Sequence, residues 1–350
     1  MQMAKLGDYA NFIMGQAPAS SDCNTDGIGT PFVKAGQFGD SSPIINEWTT
    51  NPLKMAEEND VLICVVGATS GKLNRGADCA IGRSVAAIRP CAGANRDYIY
   101  YGLHPWIMRL RNSSQGSAIG VITKDMLDSV EMPFPKIEEQ SVMVQNLKTL
   151  EKIINQRKSE LQLLDTLIKA RFVELFGDPI KNTQNRQTTE IINVVKMQRG
   201  FDLPVQDRQQ DGEIPVYGSN GALDHHDVAK VQGGGVITGR SGTIGKVYYT
   251  EGDYWPLNTS LFSVDTHGNN VIYLAYLLQM FDLTRFVEGT GVPTLNRNMF
   301  HNKQIIDVSK DEQNQFADFV HQVDKSKVAV QKSLDETQQL FDSLMQQYFG

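Results

Sequence analysis

The chain has 350 residues and a formal net charge of −7, with 41% of its residues hydrophobic and 21% charged. This composition excludes an intrinsically disordered protein and is sufficient for two folded domains. No stretch approaches the roughly 18 to 20 apolar residues of a membrane helix, and the first residues lack the apolar core of a secretory signal. We therefore expect a cytoplasmic protein that makes no membrane contact and keeps its cysteines reduced, namely Cys23, Cys64, Cys79 and Cys91.

The net charge does not predict a nucleic-acid-binding protein, because such proteins usually present a basic domain. Division of the chain at residues 136, 178 and 309 leaves neither large piece basic overall. Salt limits the reach of a charge to about 8 to 10 Å, so phosphate contact would need a local cluster of basic side chains. A DNA-binding protein of this charge would also need a partner to hold the duplex.

The first part of the chain predicts a mixed α/β domain. Val61–Val66 and Val85–Ile88 are apolar enough for buried strands, and the glycine-rich loop Gly67–Lys72 follows the first of them. A helix is predicted at Tyr98–Arg111, and it leads to a turn of small residues around Gly116.

Residues 137–178 predict a long helix. No proline or glycine occurs in residues 138–176, and Gly177-Asp178-Pro179 supplies a stop signal. At about 1.5 Å per residue, such a helix extends over roughly 55 to 60 Å. Apolar side chains recur in steps of three and four, which suits a helix partner. The positions assigned to the interface are Leu147, Leu150, Ile154, Leu161, Leu164 and Ile168.

Residues 179–309 predict a second domain of the same kind. Strands are predicted at Val236–Thr238 and Leu261–Val264, with the glycine-rich loop Gly239–Lys246 after the first. A helix is predicted at Val271–Phe286, before a turn at Gly289.

Residues 310–350 predict a second long helix with the same kind of apolar stripe. Its interface positions are Val320, Val323, Val330, Leu334, Phe341 and Leu344. The narrow seven-residue stripe favours pairing of the two helices, and packing of each helix on its own domain is the alternative. Chain connectivity would make the pair antiparallel, with the two domains at opposite ends of a rod of near two-fold symmetry.

The chain is a tandem duplication. Residues 116–177 align with residues 289–350 without a gap, at a constant offset of 173. On this offset, Glu139-Gln140 matches Glu312-Gln313, and Tyr100 falls on Tyr273. The period is too long for a solenoid, so each repeat should be a domain followed by a helix.

No catalytic, cofactor or metal site is predicted. Gly239–Lys246 has five residues between its outer glycines and Val247 after the lysine, whereas a phosphate loop needs four residues and then Ser or Thr. Asn51-Pro52-Leu53-Lys54 lacks the Asn-Pro-Pro-aromatic sequence of amino-methyltransferases. The six histidines show no metal-ligand spacing. We therefore expect a protein that is not an enzyme.

The candidate DNA contacts are basic, amide and hydroxyl side chains in and beside the glycine-rich loops. Glycines let backbone amides approach phosphates, and arginine, lysine, asparagine and glutamine can read base edges. Ordinary turn chemistry is the alternative for any single residue, and recurrence in both copies favours the loops. The candidates are Lys34, Thr69, Ser70, Lys72, Arg75, Arg83, Ser84 and Lys124, then Tyr217, Ser219, Asn220, Arg240, Ser241, Thr243, Lys246, Asn258, Thr259 and Arg297.

The order of these motifs resembles the DNA-specificity subunits of type I restriction-modification systems. The chain starts with Lys5-Leu6-Gly7-Asp8 and Gly15-Gln16-Ala17-Pro18, and each domain has its glycine-rich loop. The junction Pro133-Phe134-Pro135 with Glu138-Glu139-Gln140 leads into the first long helix, and Phe176-Gly177-Asp178-Pro179 closes it. The resemblance covers essentially the whole chain.

The resemblance implies two target-recognition domains, 1–136 and 179–309, that each read one half of a split double-stranded DNA sequence. Spacer helices, 137–178 and 310–350, would set the unread gap. Two adenine-N6 methyltransferase subunits and restriction subunits would be the partners, and these would bind S-adenosylmethionine, ATP and magnesium. A departure from the pattern is Val308-Ser309-Lys310-Asp311, which replaces the proline-rich helix entry. The alternative is a non-enzymatic scaffold that spaces two protein-binding modules.

Overall fold

The computed structural model describes residues 3–114, 120–289 and 293–350. The turn predicted around Gly116 lies outside these residues. None of the helices in the described ranges is long and apolar enough to cross a membrane.

The chain divides into two compact units. Unit 1 comprises Met1–Arg157 with Ser333–Gly350, and unit 2 comprises Lys158–Lys332. Each unit therefore contains one domain together with parts of both long helices.

Two of the helices are 40 residues long, and the others are short. The α-helices are α1 Arg96–Leu103, α2 Ile107–Ser114, α3 Lys124–Asp128, α4 Ile137–Phe176, α5 Ile191–Val194, α6 Val271–Phe281, α7 Arg297–Phe300 and α8 Lys310–Phe349. Turns of 3-10 helix lie at Leu6–Asp8, Ser20–Asp22, Ala35–Gln37, His104–Trp106, Val205–Asp207 and Leu283–Phe286.

The main sheet of unit 1 is antiparallel, and its strands lie in the spatial order Ala10–Met14, Val85–Pro90, Val61–Cys64 and Leu73–Arg75. Val61–Cys64 is buried along its whole length, which explains its unbroken apolar sequence. The remaining strands form a pair, Met3–Lys5 with Glu131–Pro133, and a second sheet in the order Cys23–Asn24, Trp48–Thr49, Thr30–Val33, Cys79–Ile81 and Met55–Ala56.

The main sheet of unit 2 has the same order of corresponding strands: Lys196–Arg199, Ser260–Asp265, Gly235–Gly239 and Val247–Thr250. A pair of strands, Thr188–Glu190 with Gln304–Ile306, again joins the start of the domain to its end. The smaller sheets are Gly221–His226, Ile214–Gly218 and Trp255–Pro256, and Val287–Glu288 with Thr294–Leu295. The predicted mixed α/β class, the duplication and the two long helices are thus confirmed.

The core of each domain includes an aromatic side chain from the last turn of a long helix. The ring of Tyr98 lies 4.9 Å from that of Phe349, and the ring of Tyr273 lies 5.2 Å from that of Phe176. Tyr98 and Tyr273 each follow the asparagine N-cap of a domain helix by three positions. The predicted match of Tyr100 to Tyr273 is therefore wrong, because the offset here is 175 rather than 173.

Within unit 1, the parts of α4 and α8 run antiparallel. Asn146 donates a hydrogen bond to the Tyr348 hydroxyl at 3.2 Å. Further along α4, Glu151 accepts a hydrogen bond from Tyr101, and the same tyrosine ring contacts Phe341 of α8. Residues further along α4 therefore contact residues earlier in α8, as expected for antiparallel helices.

Within unit 2, the parts of α4 and α8 also run antiparallel. Lys327 forms an ion pair with Asp165 at 2.8 Å, and the rings of Phe172 and Phe316 lie 5.5 Å apart. Ile168 belongs to the buried cluster of the domain core. Helix pairing and packing on the domain, the two alternatives from the sequence, therefore occur together.

The predicted helix-interface residues all lie on one side of their helices. Six are buried, namely Leu147, Ile154, Ile168, Val320, Val323 and Leu334. The other six are half-buried, namely Leu150, Leu161, Leu164, Val330, Phe341 and Leu344.

A capping box replaces the proline-rich entry at the start of α8. The Ser309 hydroxyl donates to the Glu312 carboxylate at 2.8 Å, and the Ser309 backbone N–H donates to the same carboxylate at 3.3 Å. These bonds, together with one from Arg186, hold the pKa of Glu312 below its ordinary value. The sequence Val308-Ser309-Lys310-Asp311 thus lacks the proline-rich entry but still provides a well-capped helix N-terminus.

Candidate nucleic-acid interface

The glycine-rich loop of unit 2, residues 239–246, lies against a hairpin turn. Lys246 donates a hydrogen bond to the side-chain oxygen of Asn220 at 3.2 Å. Gly242 has a φ of +83°, and a Cβ at this position would lie 3.3 Å from the Ser219 hydroxyl. Glycine adopts this conformation without strain, so the loop can lie close to the hairpin.

Two further segments hold the backbone of this loop. Arg240 and Ser241 donate their backbone N–H groups to the carbonyl of Thr259, at 2.9 and 3.2 Å. The carbonyl of Arg240 accepts a hydrogen bond from the N–H of Leu295 at 2.8 Å. Hydrogen bonds on both sides therefore hold the backbone of Arg240 in place.

An open cleft of about 500 Å³ lies beside the loop. Three arginines line it: Arg199 from a strand end, Arg240 from the loop and Arg297 from α7. Arg199 donates a hydrogen bond to the carbonyl of Asn258 at 3.3 Å. Within residues 3–114, 120–289 and 293–350, neither Arg240 nor Arg297 forms an ion pair with a carboxylate. We name this group of arginines and their surroundings the arginine cleft.

The arginine cleft also contains a carboxylate. Glu288 lines the cleft and accepts a hydrogen bond from the side-chain amide of Asn296 at 3.0 Å. Nearby, burial lowers the pKa of His301, and the charges of Arg297 and Lys196 lower it further. The His301 imidazole is therefore neutral near pH 7, and the positive charge of the cleft comes from arginine.

A second cleft of about 400 Å³ in unit 2 involves the long helix. Lys169 of α4 and Lys246 of the glycine-rich loop both line it, together with Tyr248 and Gln279. Both lysines are exposed. We name it the lysine cleft.

In unit 1, the predicted residues converge on the segment 35–38. Lys72 donates a hydrogen bond to the carbonyl of Phe38 at 2.8 Å, and the Ser84 hydroxyl accepts one from the backbone N–H of Ala35 at 3.1 Å. Lys34 precedes this segment and forms an ion pair with Glu47 at 2.6 Å. The loop and Ser84, which precedes the strand Val85–Pro90, thus share one surface.

Basic side chains border this surface of unit 1. Arg83 and Lys124 are exposed, as is Thr69 in the loop itself. The start of α3 lies beside the loop, because Ile122 donates its N–H to the carbonyl of Val65 at 2.9 Å.

Two predicted contacts are not available for DNA at this surface. Arg75 donates hydrogen bonds to Asp97 at 2.8 Å and to Glu151 at 2.9 Å, and its guanidinium lies 4.3 Å from the ring centre of Tyr100. Ser70 is only 5% exposed. The charge of Arg75 is neutralised inside unit 1 and the Ser70 side chain is buried, so neither residue remains a candidate DNA contact.

The other predicted residues of unit 2 differ in their surroundings. Tyr217 is half-buried, and its ring packs edge-on against Tyr254 with 6.0 Å between centres. Asn258 donates a side-chain hydrogen bond to Asp202. Thr243 is half-buried and Thr259 is exposed, both next to the loop contacts described above.

Several residues of these surfaces were not identified from the sequence, among them Lys169 of α4 in the lysine cleft. Arg199, Glu288 and Asn296 line the arginine cleft, and Arg111 donates a hydrogen bond to the carbonyl of Ala68 in the unit 1 loop at 3.2 Å. Arg199 and Glu288 end strands, Arg111 lies on α2, and Asn296 is the N-cap of α7, all far from the loops in sequence. In the part of the chain that the structure describes, no cluster of histidine, cysteine, aspartate or glutamate could hold a metal ion.

The comparisons with known proteins agree with these observations. The family model "Type I restriction modification DNA specificity domain" matches residues 1–163 and 180–338. A putative type I restriction enzyme MjaX specificity subunit from Methanocaldococcus jannaschii is 30% identical over 173 residues, which cover 47% of this chain and 40% of that relative. The match thus spans less than half the length of the relative.

Two solved structures share the fold. A crystal structure of the type I restriction-modification S subunit from M. genitalium has a TM-score of 0.67 at 16% identity, with 100% of this chain and 96% of that chain covered. A chain from a structure on complex assembly and conformational transition of the type I R-M system has a TM-score of 0.60 at 12% identity, with 99% and 97% covered.

Proposed function

Because the chain belongs to the type I restriction-modification DNA specificity family, we propose that it reads a split double-stranded DNA sequence, with one half-site for each unit. Unit 2 would bind its half-site through the arginine cleft and the loop 239–246. Unit 1 would use the surface around Lys72, Arg83 and Lys124.

Arg240 and Arg297 line one cleft, and neither forms an ion pair with any residue that the structure describes; this arrangement carries the proposal. A local cluster of this kind attracts the DNA backbone although the net charge of the chain is −7, since a charge acts over only about 8 to 10 Å at physiological salt. Unit 1 has a glycine-rich loop at the corresponding position, beside its own four-stranded sheet. This correspondence supports one DNA-binding site in each unit.

Partners would perform the chemistry. We propose that two adenine-N6 methyltransferase subunits and restriction subunits assemble with the chain in the cytoplasm, and that the chain itself is not an enzyme. S-adenosylmethionine, ATP and magnesium would then be bound by these partners. Similarity to a chain from a structure on type I complex assembly supports such an assembly.

The experiment is co-expression of the chain with a type I adenine methyltransferase from the same genome, followed by mapping of modified adenines. We expect one split motif that disappears when the chain is omitted. The double variant Arg240→Ala/Arg297→Ala should abolish modification at this motif. The control Lys181→Ala/Lys303→Ala removes two exposed charges outside both clefts and should leave the motif unchanged.

A stable complex without DNA binding or adenine modification would contradict the proposal and favour the scaffold. Equal loss in the double variant and in its control would show that overall charge, rather than the arginine cleft, controls modification.

A further inference from the structure

We propose that the arginine cleft reads at least one G·C base pair, with Arg240 and Arg297 binding guanine and Glu288 accepting from cytosine. This inference rests on the proposed function, and it names the chemistry of one half-site.

Arginine in this cleft is suited to guanine. The O6 and N7 atoms of guanine are two acceptors on the major-groove edge, and the planar guanidinium fork donates to both at once. Arg240 and Arg297 form no ion pair within the described ranges, so their donors are available for such a contact. Adenine replaces the O6 acceptor with an amino group, which cannot accept these bonds.

The carboxylate of the cleft points to the same base pair. Cytosine presents an N4 amino donor in the major groove, and a carboxylate is its usual acceptor. The Asn296 amide donates a hydrogen bond of 3.0 Å to Glu288, and a carboxylate has further acceptor sites. A cleft with guanidinium donors and one orientated carboxylate therefore matches both partners of a G·C pair.

The Arg240 backbone is already fixed for this task. Its N–H and carbonyl are bonded to Thr259 and Leu295, at 2.9 and 2.8 Å. A fixed backbone favours base readout, because hydrogen bonds to a base edge need a defined donor position. The lysines, in contrast, line the other cleft of unit 2. Lysine is a point charge on a flexible stem and suits phosphates, which need no bidentate geometry.

The test is adenine mapping with the variants Arg240→Lys and Arg297→Lys, which keep the charge and remove the fork. We expect guanine at one or more positions of one half-site of the wild-type motif. Each variant should lower the preference for guanine at a position of this half-site by at least about 5-fold, because lysine can reach the same acceptors but lacks the rigid fork, and the other half-site should not change. Glu288→Gln should weaken the preference for cytosine at the paired position of the motif.

A second measurement uses binding of the assembled complex to duplexes with 7-deazaguanine at the same position. This base lacks the N7 acceptor, so wild-type affinity should fall to that of the affected Arg→Lys variant on normal DNA. The variant should lose little further affinity on the modified duplex. Lys181→Ala serves as the control and should respond to the modified base as the wild type does.

Unchanged guanine preference in both Arg→Lys variants would overturn the inference, while the split motif itself would still support the proposed function. Half-sites composed only of A·T pairs would overturn it as well. If the wild-type assembly modified no site at all, the proposed function would fail, and this inference with it.

Discussion

The side-chain oxygen of Gln140 accepts a hydrogen bond from the backbone N–H of Asn95 at 2.9 Å. Gln313 accepts the corresponding bond from Asn270, also at 2.9 Å. Each asparagine is the N-cap of a domain helix, and each glutamine lies in the first turn of a long helix. The duplicated Glu-Gln pair of the sequence thus ties the start of each long helix to its domain.

The change Gln140→Leu should destabilise unit 1. Gln140 is fully buried, and its amide also donates to the carbonyls of Gly93 and Pro135, both at 2.9 Å. Leucine would leave the Asn95 N–H and both carbonyls without these partners. Since one buried unsatisfied group costs about 1 to 3 kcal/mol, we expect the free energy of unfolding to fall by about 2 to 4 kcal/mol in urea denaturation.

Gln162→Ala is the matched control on the same helix, because its side chain is exposed. It should change the free energy of unfolding by less than about 0.5 kcal/mol. Similar losses in Gln140→Leu and the control would refute a special role for the buried amide.

Asp97→Asn should destabilise the chain at pH 7 by about 1.5 to 3 kcal/mol, because it removes the buried anion that three partly exposed cations share. Arg75 donates to Asp97 at 2.8 Å, Arg96 at 2.9 Å, and Lys148 forms an ion pair with it at 2.7 Å. Base preference at the DNA should not change, since the Asp97 cluster lies away from the unit 1 loop surface. Denaturation curves and adenine mapping of the same variant check both expectations.

The loss should depend on pH. Burial alone would raise the pKa of Asp97, but hydrogen bonds from Lys148, Arg75 and Arg96 outweigh it and hold the pKa below its ordinary value of 3.8. The ionised carboxylate therefore stabilises the fold above that value, and this stabilisation disappears as the pH falls through the lowered pKa. The difference between wild type and Asp97→Asn should shrink on acidification below pH 4. The exposed Asp26→Asn serves as the control, and its stability at pH 7 should match that of the wild type.

The long helices were predictable because their apolar period is local and no proline or glycine interrupts them. The arginine cleft was not, since Arg199, Arg240 and Arg297 come together only when a strand end, a loop and a short helix pack. Arg75 shows the opposite error. It follows a glycine-rich loop in sequence, but its acceptors Asp97 and Glu151 are 22 and 76 residues away, so the sequence could not reveal that they neutralise it.

Gly242→Ala should impair DNA recognition by unit 2. The residue has a φ of +83°, and the new Cβ would lie 3.3 Å from the Ser219 hydroxyl, so the loop or the Ser219 side chain must move by a few tenths of an ångström. We expect a loss of stability of about 1 kcal/mol and a clear fall in modification of the motif. Thermal denaturation and adenine mapping measure the two effects.

Gly233→Ala is the control, since Gly233 has a φ of +74° and its Cβ would meet no atom within 4 Å. Its stability should fall by a comparable amount because the backbone strain is similar. Modification at the motif should remain intact. An equal fall in modification for both variants would attribute the effect of Gly242→Ala to stability.

Lys169→Ala should weaken DNA binding by a similar factor for every sequence. Lys169 projects from α4 into the lysine cleft with Lys246, where a phosphate would meet two positive charges. A lost phosphate contact should lower the slope of log affinity against log salt by about 0.9, without any change in the recognised motif. Lys246→Ala should act in the same direction, with an additional effect from the loss of its 3.2 Å bond to Asn220.

Lys158→Ala removes one exposed positive charge from the same helix, at a position that lines neither cleft. Titrations of the assembled complex at several salt concentrations should give this control the wild-type slope. If Lys158→Ala and Lys169→Ala lowered the slope equally, the effect would come from the general charge of α4. A changed motif in Lys169→Ala would instead mean that the helix takes part in base recognition, because phosphate contacts carry no direct sequence information.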